Sequence, residues 1–109
     1  MNILYVESDE KLINLINENC SESVNEIILL NNPKDALSLL KQTNNIDLII
    51  TEINFSTLDV ISYLKKIREL KKDILIVITS KLDIYLSSSE FLDLNISAIL
   101  NKPLSFDKL

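Results

Sequence analysis

Asp47-Leu48-Ile49-Ile50-Thr51-Glu52-Ile53-Asn54 decides how this chain folds. Its apolar centre, Leu48 to Ile50, is continuous rather than alternating, and it gives way to a hydroxyl, a carboxylate and an amide. A strand buried on both faces of a parallel sheet reads this way, whereas a half-exposed antiparallel strand alternates. Four more runs share the character: Ile3 to Val6, Ile27 to Leu30, Ile74 to Ile78 and Ser97 to Leu100. Segments with helical spacing separate them. Leu12, Ile13, Ile16 and Cys20 make one stripe, Ala36, Leu37 and Leu40 a second, and Ile61, Leu64, Ile67 and Arg68 a third with Leu58 near its start. Ser8 or Asp9 precedes the first helix, and Asn32-Pro33 opens the second, where proline suits the first helical position. The segment from Leu82 to Leu94 contains Ser87-Ser88-Ser89, which lowers helix propensity, so a short or irregular helix is expected there.

Strands and helices alternate through short connections, which predicts a doubly wound α/β sandwich. Right-handed crossovers with helices on both faces require the strand order to reverse, and the common five-strand solution is 2-1-3-4-5. The ligand crevice of such a sheet lies at the carboxyl ends of strands 1 and 3. No repeat, linker or low-complexity stretch interrupts residues 1–109, so one domain is expected.

Composition excludes several chemistries. The chain of 109 residues has 47% hydrophobic and 25% charged residues. That is too apolar for disorder, while its apolar runs fall far short of the ~20 residues of a membrane span. It contains no glycine, so the glycine-rich loops that cradle nucleotide phosphates are ruled out. With no histidine and only Cys20, the usual zinc sites and the Ser-His-Asp and Cys-His groups are ruled out as well. Carboxylate, hydroxyl and lysine chemistry remain. A net charge of -5 argues against a nucleic-acid surface. Met1 and Asn2 lead directly into a short apolar run ended by Glu7, unlike a signal peptide, so a cytoplasmic location is expected.

The predicted carboxyl edge collects Glu7-Ser8-Asp9 from the first run, Thr51-Glu52-Ile53-Asn54 from the third, Thr79-Ser80-Lys81 from the fourth and Asn101-Lys102-Pro103 from the fifth. Polar residues belong at strand ends in any case. Two carboxylates, a hydroxyl and an ammonium group arriving from four strands are nonetheless a chemically coherent set.

These residues resemble the receiver domain of bacterial two-component response regulators, over essentially the whole chain. The segment from Asp47 to Asp59 is similar to that family's third strand and following loop, with Glu52 where the family's aspartate accepts phosphate. Met1 to Asp9 is similar to its first strand, with Glu7 and Ser8 at the acidic pair. Thr79 matches the hydroxyl that senses the phosphoryl group, and Lys102-Pro103 matches the family's lysine, which commonly precedes a cis proline. The resemblance implies a flavodoxin/CheY-like fold, a signalling role without an enzymatic activity of its own, and a Mg²⁺ site at Glu7, Ser8, Glu52 and the backbone carbonyl of Asn54. It also implies partners: a protein or attached output domain, a histidine kinase, and a second copy of the chain. Contact with nucleic acid is expected only through an output domain, and contact with membrane is not expected.

The departures from the pattern bear on mechanism. Ser8 replaces the second acid and removes a formal charge, which predicts a weakened or lost Mg²⁺ site. Asp9 is expected to point away from the site, at the start of the first helix. Glu52 is a methylene longer than the aspartate and displaces the nucleophilic oxygens by roughly 1 Å, an error that can cost ~10²-fold in a positioned reaction. Ile99 stands where the family often has an aromatic rotor. Three roles are open to Glu52: an extended carboxylate reaching towards Lys102 and Thr79, a solvated relic, or a true phosphoacceptor. Lys102 is expected to pair with Glu52 or Glu7. The reading favoured here is an atypical, phosphorylation-independent receiver-like domain; the alternatives are a working phosphoacceptor and a structural dimerisation module.

Other residues read as unremarkable. Lys65, Lys66, Arg68, Lys71 and Lys72 read as a solvated cationic face near a helix C-terminus. Cys20 reads as a thiol in an apolar stripe, and Tyr5, Tyr63 and Tyr85 form no stacking array. After Pro103 only Leu104 to Leu109 remain, too few for a full fifth helix. A truncated chain or a shortened domain is therefore expected, with the first-helix side of its sheet partly uncovered and self-association through that face or through the edge formed by the fourth helix and fifth strand.

Overall fold

The computed structural model describes residues 2–20, 26–53, 57–80 and 93–101. Among the described residues the elements are β1 (Asn2–Val6), α1 (Glu10–Cys20), β2 (Glu26–Leu30), α2 (Pro33–Gln42), β3 (Leu48–Glu52), α3 (Thr57–Leu70), β4 (Leu75–Ser80) and β5 (Ala98–Asn101). The strands form a single sheet in the order β2-β1-β3-β4-β5, and every pair is parallel. This is the doubly wound order expected from the sequence.

Continuous apolar runs follow from the two-sided burial of the central strands. Leu4 and Val6 of β1 enter one core with Ile49 and Ile53, Ile76 and Ile78, and with Ala36 and Leu40 of α2 and Val60, Tyr63, Leu64 and Ile67 of α3. Ile3, Tyr5 and Ile50 face the other way and pack with Ile16 of α1. Each fully buried aliphatic side chain stabilises the fold by roughly 1.5–3 kcal/mol. At the edge, β2 is less covered: Glu26 and Ile28 are exposed and its other residues half-buried.

Local chemistry sets the helix starts. Asp9 caps α1, since the Lys11 N–H donates to its Oδ1 at 3.0 Å and the Ile13 N–H to its carbonyl at 3.0 Å. Asn32 caps α2 by accepting the Asp35 N–H at 2.8 Å, and its own amide donates to the Asp35 carboxylate at 2.9 Å. Pro33 occupies the first turn, as expected. The tight turn before β5 needs a left-handed residue in a chain without glycine, and Asn95 supplies it with φ 55°. Asparagine tolerates that region better than other side chains.

The strand limits differ from the apolar runs in one useful way. β3 and β4 extend beyond Ile50 and Ile78 to include Glu52, Thr79 and Ser80, because the ladder continues with Glu52 opposite Thr79. Polar side chains at these positions do not prevent the backbone from pairing. The expected fourth helix falls outside the described residues apart from its last two positions. Lys81, Tyr85, Lys102, Pro103 and residues 104–109 also lie outside them, as does the side chain of Cys20.

Arg68 requires a correction, because it is not part of a solvated cationic face. It is half-buried near the C-terminus of α3, and its guanidinium donates to carbonyl oxygens of two separate segments. One nitrogen, Nη1, serves Lys71 at 3.3 Å, Lys72 at 2.9 Å and Ile74 at 2.7 Å. Nε donates to Leu94 at 3.0 Å, and Nη2 to Asn95 at 3.3 Å. The planar fork thus joins the α3–β4 connection to the turn that leads into β5. Lys71 is likewise engaged, with the side-chain oxygen of Asn44.

Candidate site at the carboxyl edge of the sheet

Register brings the acidic residues together. Val6 of β1 lies opposite Thr51 of β3, so Glu7 and Glu52 follow on neighbouring strands, and Glu52 in turn faces Thr79 of β4. Glu7 is fully buried, Glu52 is 6% exposed and Thr79 is fully buried. Ser8 and Asp9 are exposed in the connection between β1 and α1. Asn54 and Lys102, the remaining sequence-derived site residues, lie outside the described residues.

Both carboxylates are turned onto backbone N–H groups of that connection. The Ser8 N–H donates to Glu52 Oε1 at 2.7 Å, a contact spanning 44 residues of sequence. The Asp9 N–H donates to Glu7 Oε2 at 3.1 Å. Hydrogen bonds to an ionised acceptor are shorter and roughly twice as strong as neutral ones, and N–H groups at a helix start favour negative charge. Glu52 therefore clasps the end of β3 to the loop that begins α1.

This geometry bears on two of the roles open to Glu52, while Lys102 lies outside the described residues. It is buried, so it is not a solvated side chain, and its Oε1 is engaged with Ser8. Nor does it reach the Thr79 hydroxyl, since Thr79 Oγ1 has no hydrogen-bond partner among the described residues. Asp9 uses its Oδ1 to accept the Lys11 N–H at 3.0 Å.

The donors among the described residues fall short of a Mg²⁺ site, and Asn54 lies outside those residues. Such an ion needs oxygen lone pairs in near-octahedral array, yet one oxygen of each carboxylate already accepts an N–H. Position 8 offers a neutral, exposed serine. Among the described residues no group of three or more Asp, Glu, His or Cys side chains could hold a metal.

On the opposite face of β3, Thr51 and Tyr63 form a buried pair that the sequence reading passed over. Their oxygens are 2.8 Å apart, and the Thr51 hydroxyl lies 3.2 Å from the carbonyl oxygen of Glu52. Burial pushes the Tyr63 hydroxyl up to about 12, the bond to Thr51 opposes that rise, and the charge of Glu52 adds to it. A signal was present in the sequence: Val60, Tyr63, Leu64 and Ile67 share a helical face, and Thr51 is the one hydroxyl in an aliphatic strand.

Comparison with known proteins agrees with this architecture. The model of the response regulator receiver domain matches residues 3–109. A two-component response regulator from Clostridium difficile is 26% identical, with a TM-score of 0.81 over 99% of this chain and 88% of that one. The Vibrio cholerae chemotaxis protein CheY4 is 16% identical, with a TM-score of 0.76 over 95% and 88% of the two chains. A response regulator from Burkholderia pseudomallei, solved with a phosphorylated aspartic acid and a calcium ion, is 14% identical. Its TM-score is 0.78, over 98% of this chain and 62% of that one. No curated protein matches the chain by sequence.

Proposed function

The chain belongs to the response regulator receiver family, and from that premise we propose that it signals by binding a protein partner or an attached output module, without phosphoryl transfer to residue 52. One observation carries this reading: the Glu52 carboxylate is buried and already holds the Ser8 N–H at 2.7 Å.

Phosphoryl transfer to a carboxylate needs an oxygen in line with the incoming phosphorus and a cation to neutralise the transferred charge. Here the nucleophilic position is extended by a methylene and turned onto a backbone amide. Ser8 contributes no charge towards a cation. The clasp instead fixes the loop between β1 and α1 in a single arrangement, so that signalling depends on which surfaces the domain presents. No helix among the described residues is long and apolar enough to cross a membrane.

The test is incubation with acetyl phosphate and Mg²⁺ followed by intact-mass measurement. An unmodified chain is expected. A stoichiometric phosphoryl adduct that disappears in Glu52→Gln would replace this reading with a working phosphoacceptor. A second copy, a histidine kinase or a separate output protein are the partner classes to test by co-purification.

A further inference from the structure

We propose that Tyr63 is a positioning residue that acts through Thr51 to hold Glu52 against the Ser8 amide, coupling α3 to the loop between β1 and α1. The inference rests on the reading above only in taking Glu52 as a held carboxylate.

Neighbouring residues of a strand point to opposite faces. Thr51 shares the face of Ile49 and Ile53, where α3 packs, while Glu52 shares that of Ile50, where α1 packs. No direct contact across the sheet is therefore available, and coupling has to pass through the backbone. The hydrogen bonds provide that route. The Thr51 hydroxyl donates to the carbonyl oxygen of Glu52 at 3.2 Å. A hydroxyl has one proton to give, so in the 2.8 Å pair with Tyr63 the tyrosine is the donor. The order runs from Tyr63 Oη to Thr51 Oγ1 to the Glu52 carbonyl, and this peptide carries the side chain that accepts the Ser8 N–H.

Every member of the series is shielded from water. Thr51 is fully buried, Tyr63 is 5% exposed and Glu52 is 6% exposed. In such surroundings an alternative partner from solvent is not at hand, which makes the geometry of each bond depend on its neighbour. The Tyr63 hydroxyl also stays protonated across the physiological range, with the Glu52 charge among the causes. It is thus a permanent donor. Phenylalanine would fill the same space between Val60 and Leu64, so packing accounts for the ring, whereas the hydroxyl is accounted for by the series. A small displacement of α3 by a bound partner would be transmitted as a change in the Glu52 peptide and a weaker hold on Ser8.

Amide exchange measured by nuclear magnetic resonance on the intact chain tests the proposal. Ser8 is the reporter, and Asp9 is the internal control because Glu7 holds its amide independently at 3.1 Å. Tyr63→Phe and Thr51→Val should each speed Ser8 exchange by about tenfold, as expected when a charge-assisted bond loses its alignment. Both should also move its amide proton upfield. Asp9 should stay unchanged, and Thr51→Ser, which keeps the hydroxyl, should behave as the original chain. In a Glu52→Gln background Tyr63→Phe should add nothing further at Ser8. An unchanged Ser8 amide in folded Tyr63→Phe or Thr51→Val overturns the proposal, as does an equal change at Ser8 and Asp9, which would mean general loosening. Should Tyr63→Phe fail to fold, the Thr51→Val and Thr51→Ser pair decides. Acetyl phosphate labelling of the same samples reads the functional proposal separately: an adduct would remove that reading while leaving the Ser8 result to be judged on its own.

Discussion

Replacing Arg68 with alanine isolates a single side chain that joins two loops, and its cost can be worked from the contacts. Five carbonyl oxygens accept from the guanidinium, at distances between 2.7 and 3.3 Å. Those of Lys72 and Asn95 are exposed, so water replaces the arginine there at little cost. Those of Leu94, Lys71 and Ile74 are partly buried, and two of these bonds, at 3.0 and 2.7 Å, are well formed. A hydrogen bond to a charged donor contributes about 1.5–3 kcal/mol. The bonds share one side chain and partial solvation, so the total should be about 2–4 kcal/mol rather than their sum. Burial pulls the guanidinium below its ordinary value and Asp73 opposes that fall; arginine nevertheless stays cationic throughout the range in which proteins fold. A chain of 109 residues has a total stability of roughly 5–16 kcal/mol. At roughly 4–8 °C per kcal/mol, a loss near 3 kcal/mol lowers Tm by roughly 12–24 °C. Urea unfolding followed by circular dichroism measures the free energy, and a thermal scan measures Tm. Arg68→Lys should recover only part of the loss, because one ammonium group cannot serve both segments. A cost below about 1 kcal/mol for Arg68→Ala would refute the reasoning and mean that solvent already satisfies these carbonyls.

Three further outcomes are expected. Between pH 10 and about 12 the unfolded chain releases the Tyr63 proton while the folded one retains it, so stability present below pH 10 should be lost as pH rises through this window, by roughly 3 kcal/mol at most. Denaturant titrations at each pH should show that Tyr63→Phe lacks this component. Ser8→Asp alone should destabilise the fold by about 1 kcal/mol, since position 8 is exposed and partly screened; Ser8→Asp with Glu52→Asp should gain Mg²⁺ affinity measurable by calorimetry. Asn32→Ala removes the cap of α2 and should cost about 1 kcal/mol in urea unfolding.

The sheet was legible because two-sided burial leaves a mark that needs no partner sequence. Leu48 to Ile50 and Ile3 to Val6 are apolar at every position, and the strand order follows once both faces must be covered by crossover helices. The site was legible to the level of neighbourhood. Glu7, Glu52 and Thr79 meet as the topology requires, but the direction of Glu52 was not readable. A glutamate at a strand end can turn towards any donor within its reach, and only the shape of the connection between β1 and α1 selects the Ser8 amide. Arg68 was misread for a related reason: in sequence it stands among lysines, and its acceptors at Leu94 and Asn95 are brought to it by the sheet. Tyr63 was passed over because a search for stacked aromatic rings does not detect a hydroxyl paired across to a strand.

Ser8 and Glu52 make sense as a pair. An aspartate at position 8 beside Glu7 and Glu52 would place three carboxylates at one edge, an arrangement that calls for a cation to relieve it. Serine removes one charge, and the two acids that remain accept N–H groups at the start of α1. The extra methylene of Glu52 then supplies the reach. An aspartate on the same strand position would end roughly 1 Å short, stretching the 2.7 Å contact with Ser8 beyond the length of a hydrogen bond. Each substitution alone would leave an uncompensated group: a lengthened carboxylate crowding two others in the first case, a short carboxylate without its donor in the second. Together they leave Glu52 on the Ser8 N–H and Glu7 on the Asp9 N–H, both donors from the chain's own backbone.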